Sequence, residues 1–265
     1  MAYFCRICTR CSNPFHSNIQ IQTPTRKTII MIQFFAPDIQ ETNQLPEVES
    51  QHCIKVLRMK QGDKIFVTDG KGYRYNCTII DPNPKHVYLN IDSKEFIPNH
   101  WNEQITIAIA PTKNMDRMEW FAEKSTEIGI NAIIPIKCSH SERKELKIER
   151  INKILVSATK QSLKTTIPQL SEMIKFAELV KQPFDGQKFI AYCDESIEKK
   201  SFIKEYISSN NALILIGPEG DFSPEEVSLA IENGFTPVTF GNSRLRTETA
   251  ALFAVAAIQT LNQLK

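Results

Sequence analysis

Two short apolar runs near the C-terminus, each ending in a glycine-bearing loop that opens a helix, constrain this chain more than any other feature. The first run, Ala212-Leu213-Ile214-Leu215-Ile216, leads into Gly217-Pro218-Glu219-Gly220-Asp221-Phe222. The second, Thr236-Pro237-Val238-Thr239-Phe240, leads into Gly241-Asn242-Ser243-Arg244-Leu245-Arg246. Runs of this length, rich in branched side chains and bounded by Gly and Pro, predict buried strands. Ser223 followed by Pro224, with Glu226 three residues on, spells a capping box at the start of a helix. From Thr247 to Leu264 the apolar residues Ala250, Leu252, Phe253, Ala256, Ala257 and Leu261 recur at a helical period. Both loops therefore leave the carboxyl ends of strands in an α/β sheet, where ligands usually bind. Gly217, Gly220 and Gly241 let a ligand approach the backbone. Neither loop carries a P-loop or dinucleotide signature. The carboxylates of Glu219 and Asp221 would also repel a triphosphate, so the expected ligand is neutral or cationic with a polar ring.

The alternation extends upstream. Residues 105–110, 132–136 and 189–193 read as further strands. One helix starts at Asn114 or Asp116 and ends at Gly129; another runs from Ile148 to Leu163. Five strands alternating with helices predict a mostly parallel sheet covered on both faces. Residues 31 to about 97 read differently. Lys64–Thr68 and Tyr73–Ile80 flank Asp69-Gly70-Lys71-Gly72, a hairpin signal, and residues 86–91 form another strand. Before them, Glu47 to Arg58 reads as an amphipathic helix with His52, Lys55 and Arg58 on its polar edge. The stretch Ile97–Asn102 breaks both periods, which places a boundary between units at 31–98 and 103–265.

Composition narrows the function classes. A net charge of only +2 confines any nucleic-acid surface to a local patch. Arg143, Lys144, Lys147, Arg150, Lys153, Lys160 and Lys164 outnumber Glu142, Glu145 and Glu149, which suits phosphate contact as well as a solvated helix face. No apolar run approaches the roughly 18 residues of a membrane span. Seven scattered cysteines, an odd count, do not form a disulfide framework, and a reducing cytoplasm is the expected compartment. Cys5, Cys8 and Cys11, with His16 beyond, have metal-like spacing but lack a fourth cysteine. No metal site is expected, and residues 1–30 read as an extension without fixed structure.

Taken together, Leu215-Ile216-Gly217-Pro218-Glu219-Gly220 and Leu245-Arg246-Thr247-Glu248-Thr249-Ala250 resemble the bacterial 16S rRNA (uracil-N3) methyltransferases of the SPOUT superfamily. The resemblance runs from about Met31 to the C-terminus. It includes Lys113, Glu119, Lys124, Ser125, Glu127 and Gly129, and then Ala158-Thr159-Lys160-Gln161-Ser162 with Lys164 and Pro168. Lys160 and Lys164 stand where that family has Glu and Arg, and Asp221 where it commonly has Gly. The resemblance implies a C-terminal α/β trefoil knot binding S-adenosylmethionine, preceded by a small PUA-like β-barrel that helps to hold RNA. It further implies a homodimer acting on 16S rRNA or the assembled small ribosomal subunit.

Cofactor contacts are implied for Ile216, Gly217, Pro218, Glu219 and Gly220 on the first loop, and for Phe240, Gly241, Leu245, Arg246, Thr247 and Ala250 on the second. Arg246 is the first catalytic candidate, because a guanidinium matches the oxygens of a uracil anion. Glu219 is the second, as proton acceptor or as a cap on its turn. Candidate RNA contacts are His52, Arg58, Arg143, Lys144 and Arg244. Two other readings remain: a SPOUT enzyme acting on ribose or another base, and a non-catalytic RNA-binding protein.

Overall fold

The computed structural model describes residues 32–194 and 197–264. The extension with Cys5, Cys8, Cys11 and His16 lies outside the described residues.

The N-terminal sheet is built from β1 (Gln33–Phe35), β2 (Lys64–Thr68), β3 (Tyr73–Pro82) and β4 (Val87–Phe96), in that spatial order. β1 pairs parallel with β2, while β2–β3 and β3–β4 are antiparallel. The hairpin signal fixes the β2–β3 turn. Asp69 accepts the Lys71 and Tyr73 amides and the Tyr75 hydroxyl. Alternate residues of these strands, Ile65, Val67, Tyr75, Cys77, Ile79, Val87 and Leu89, fill one core with Phe34, Ile39, Leu45 and Cys53. β4 is longer than the strand expected over 86–91 because its second half continues to pair with β3, out to Tyr73–Phe96.

The helix expected from Glu47 to Arg58 is shorter and irregular. After a separate short helix, α1 (Ile39–Thr42), it comprises α2 (Glu47–Gln51), which widens into a π-turn over His52–Val56. The Leu57 amide reaches back to the His52 carbonyl. That wider turn seats Cys53 in the core while His52 and Lys55 stay exposed. Arg58 leaves the helix at φ 56°.

The C-terminal half is a parallel sheet of eight strands: β5 (Ile105–Ile109), β6 (Ala132–Lys137), β7 (Gln169–Leu170), β8 (Ile174–Lys175), β9 (Gln187–Ala191), β10 (Lys200–Ser201), β11 (Ala212–Ile216) and β12 (Thr236–Thr239). The order is β10-β12-β9-β11-β5-β6-β7, with β8 also on β6. Its helices are α3 (Met115–Ile128), α4 (Ile148–Gln161), α5 (Phe176–Leu179), α6 (Phe202–Glu205), α7 (Pro224–Glu232) and α8 (Thr247–Gln263). Side chains of β5 and β11 alternate between two cores. Ile105, Ile107, Ile109, Ala212, Ile214 and Ile216 meet α3, α4 and α8; Ala108, Ala110, Leu213 and Leu215 meet α5 and α7. Both faces are covered, as the apolar runs require. β11 is buried throughout, whereas β12 is half-exposed except at Val238, so only the first C-terminal run is a fully buried strand. The short strands β7, β8 and β10 carry too few residues to show a period.

The strand order positions the site. β11 is inserted between β5 and β9, and β12 lies on the far side of β9. The loops after β11 and β12 therefore flank the carboxyl end of β9.

The sheets meet at the turn after α4. Leu163, at φ 56°, gives its carbonyl to Arg74, and Thr165 gives its carbonyl to Gly72 and to the Thr68 hydroxyl. The Ile167 amide bonds to Gly70, whose added Cβ would stand 2.7 Å from Ile167 Cδ1. Lys160 and Lys164 belong here. Lys160 pairs with buried Glu49 of α2, and Lys164 donates to the Glu127 carbonyl.

Candidate active site

Along the carboxyl edge of the sheet runs a cleft of about 1190 Å³. All eleven residues expected to touch a cofactor line it, from Ile216 through Gly220 on one side to Phe240, Gly241, Leu245, Arg246, Thr247 and Ala250 on the other. Arg244 lines it too. His52, Arg58, Arg143 and Lys144 do not, so the structure separates these RNA candidates from the cleft.

Residues 217–223 form a bonded wall. The Asp221 amide closes a turn onto the Pro218 carbonyl. The Asp221 carboxylate accepts the Phe222 amide on one oxygen and the Cys193 amide on the other, tying this loop to the end of β9. Its φ of 63° is left-handed, a conformation that aspartate tolerates and glycine takes freely. Glu219 accepts the Lys113 amide at 3.0 Å, and Phe222 is buried against Phe176. The capping box at the start of α7 forms as expected: Ser223 accepts the Glu226 amide, and Glu226 accepts that of Ser223.

Residues 240–246 are the opposite wall and are barely bonded. Among the described residues, the backbone of Asn242, Ser243, Arg244 and Leu245 makes no hydrogen bond. Gly241 sits at φ 115° with open space where a Cβ would stand. Arg246 precedes α8 and is exposed. The carboxylates that could have paired with it face other groups: Glu219 accepts the Lys113 amide, and Glu248 lies 3.8 Å from Arg117, its buried Oε2 without a hydrogen-bond partner among the described residues. Its guanidinium is unpaired among the described residues.

Sequence reasoning missed Ala191 to Asp194 and Lys199 beside β9, Arg117 on α3, and His140 after β6. The end of β9 and His140 could have been found by the rule that identified the two loops, since each follows a strand of the same parallel sheet. Nothing near Arg117 marks it. Lys199 is held by the Cys193 and Asp194 carbonyls. Burial, then the nearby Asp221 charge, raises the Cys193 thiol; Arg244 and Lys199 oppose that.

The basic stretch is largely consumed by structure. Arg143 donates to the Thr112 and Lys113 carbonyls, and Arg150 pairs with Glu119. Lys144 remains exposed, as do Lys147 and Lys153.

A family profile described as an RNA methyltransferase domain matches residues 99–259, and one described as an RNA methyltransferase PUA domain matches residues 45–92. This chain belongs to the RNA methyltransferase domain family. A probable rRNA-methyltransferase from Porphyromonas gingivalis is similar in structure, with a TM-score of 0.84 and 42% identity over 88% of this chain and 99% of that one. The ribosomal RNA small subunit methyltransferase E of Neisseria gonorrhoeae, solved bound to S-adenosyl methionine, matches with a TM-score of 0.78 and 29% identity over 87% and 98%. The Bacillus subtilis protein of the same name is 26% identical over 82% of this chain and 89% of its own length. The fold class read from the sequence, a SPOUT-type α/β sheet preceded by a PUA-like module, is the fold of this family.

Proposed function

We propose that this protein transfers a methyl group from S-adenosylmethionine to N3 of a uridine in 16S rRNA. The observation that carries the reading is the pairing of an unpartnered Arg246 with an unbonded loop across from a fixed one, in a single cleft.

The cleft fits the cofactor. Ile216, Val238, Phe240, Leu245 and Ala250 offer an apolar slot for an adenine ring, and the free amides and carbonyls of 242–245 offer partners for its polar edge. The carboxylates of Glu219 and Asp221 border the cleft, which suits a cation. When bound, S-adenosylmethionine supplies an electrophilic methyl on a sulfonium. The chain's task is to align the acceptor and stabilise it once deprotonated. Arg246 is free to meet the carbonyl oxygens over which a uracil anion spreads its charge. Glu219 holds the Lys113 amide, and we assign it to shaping its loop.

The reading extends to a homodimer in the cytoplasm and to units divided at 31–98 and 103–265. The partly buried Leu252, Phe253 and Leu261 on α8 and the exposed Trp120 on α3 support a second copy packing there; sedimentation of the purified protein tests this. RNA contact at Lys144, Arg244, His52 and Arg58 belongs to the same reading, with Arg143 serving the backbone it already holds.

Mass-spectrometric mapping of small-subunit RNA from a strain lacking the protein tests the function. Loss of one N3-methyluridine is expected. Loss of a ribose methyl or of another methylated base would redirect the chemistry, and an unchanged map would refute the reading.

A further inference from the structure

The reaction proposed above needs a proton acceptor, and the residues expected from the sequence supply no convincing one. The cleft holds another candidate. His140 lies on the turn after β6 and lines the cleft beside Gly220 and Asp221. Its Nδ1 stands 3.1 Å from the Gly220 carbonyl oxygen and 3.0 Å from that of Asp221. Carbonyl oxygens only accept, so Nδ1 must carry a proton. In the neutral ring the lone pair then belongs to Nε2.

The turn is fixed from both sides. The Cys138 amide donates to the Ser141 hydroxyl, and the Ser139 amide donates to Glu226 of α7. Gly220 makes the approach possible, since a Cβ there would stand 3.1 Å from His140 Cβ. The imidazole is thus oriented by backbone, as a general base must be, and a proton gained at Nε2 would strengthen both Nδ1–H bonds.

We propose that His140 is the proton acceptor of the methyl-transfer reaction, taking the N–H proton of the acceptor base on Nε2 while Gly220 and Asp221 hold Nδ1–H. The proton passes to Nε2, and the electron pair left on the ring nitrogen forms the new N–CH3 bond. Sulfur keeps the pair of the broken C–S bond, and the imidazolium later returns its proton to water. The charged groups beside His140 are Glu225 and Glu226 at the start of α7, the second held by the Ser139 amide, and Asp221, whose carbonyl meets Nδ1. Glu225 is held below the ordinary carboxylate range by its own backbone amide, then by Ser223, with the His140 charge contributing last.

This proposal rests on the methyltransferase reading, and its tests separate the two. NMR of the cofactor-free protein with isotope-labelled histidine should show His140 as the Nδ1–H tautomer; the Nε2–H tautomer would overturn the proposal. H140N places an amide nitrogen where Nδ1 stands but offers no base. It should bind S-adenosylmethionine within about threefold of wild type by calorimetry. Its kcat should fall about 10²-fold or more, and the acid limb of its pH–kcat profile should disappear. An H140N enzyme with near-normal kcat, or one whose loss is entirely weaker cofactor binding, overturns the proposal and leaves the methyltransferase reading intact. A wild-type protein that methylates no small-subunit RNA overturns both.

Discussion

The two walls of the cleft hold the same place in the fold and have opposite physics. Both are glycine-bearing turns between a strand and a helix. In residues 217–223 the side chains and several carbonyls are committed: Asp221 to two amides, Glu219 to Lys113, Ser223 and Glu226 to each other, and the Gly220 and Asp221 carbonyls to His140. In 240–246, among the described residues, the backbone from Asn242 to Leu245 is uncommitted, and so is the Arg246 guanidinium. A group that already has a partner contributes to stability, and one without a partner is available to a ligand. Substitutions in the first wall should therefore be read chiefly in stability, and those in the second chiefly in binding and turnover.

The largest expected effect is R246A. Removing a donor aimed at a developing oxyanion typically lowers kcat by about 10²–10³. The melting temperature should stay within about 2 °C of wild type, because Arg246 makes no side-chain cap on α8. Near-normal turnover in a methylation assay would remove Arg246 from the chemistry and blur the contrast between the walls.

Asp221→Ala should behave in the reverse way. It forfeits two charge-assisted bonds and puts alanine at φ 63°, for a loss of about 2 kcal/mol in stability. That corresponds to about 4–8 °C in melting temperature for a chain of this size. Asn242→Ala, on the unbonded wall, should change stability by less than about 0.5 kcal/mol. Equal thermal shifts for the two would break the comparison.

Gly241→Ala should cost less stability, about 1 kcal/mol, because it forces a side chain to φ 115°. Its added methyl meets no protein atom within 4 Å. Weakened cofactor binding by calorimetry would then mean that the methyl occupies ligand space. Unchanged affinity would place the ligand away from this glycine.

Much of this arrangement was legible in the sequence because it is local. The capping box needs only Ser223 and Glu226, and the strands needed only their apolar runs. What was hidden depends on residues far apart in the chain. The His140 clamp joins residues 80 and 81 positions apart, and the Lys160–Glu49 pair spans 111. Lys160 illustrates the difficulty. Its sequence neighbours made it a component of a basic surface, but the fold turns it toward a carboxylate that only the N-terminal sheet could bring there. The π-turn after Gln51 was hidden for a related reason. An amphipathic period records which residues are apolar, and the wider turn exists to seat Cys53 in a core assembled from other segments.

The smallest effect expected is at Cys193, where the fixed wall meets the floor of the cleft. It is the exposed cysteine among the described residues. Burial and the Asp221 charge raise its thiol above the ordinary value, so at a given pH less of it is thiolate, the reactive form. Alkylation by iodoacetamide, followed by peptide mass spectrometry at this residue, should be slower at pH 7.5 than that of an ordinary exposed thiol and should accelerate as the pH rises. Asp221→Asn removes the raising charge while Arg244 and Lys199 remain, so it should speed alkylation at pH 7.5. S-adenosylmethionine should slow it by covering the floor. Rapid alkylation of the wild type at neutral pH would mean that Arg244 and Lys199 outweigh Asp221 at this thiol, and that the bonded wall exerts less control over the cleft floor than its hydrogen bonds imply.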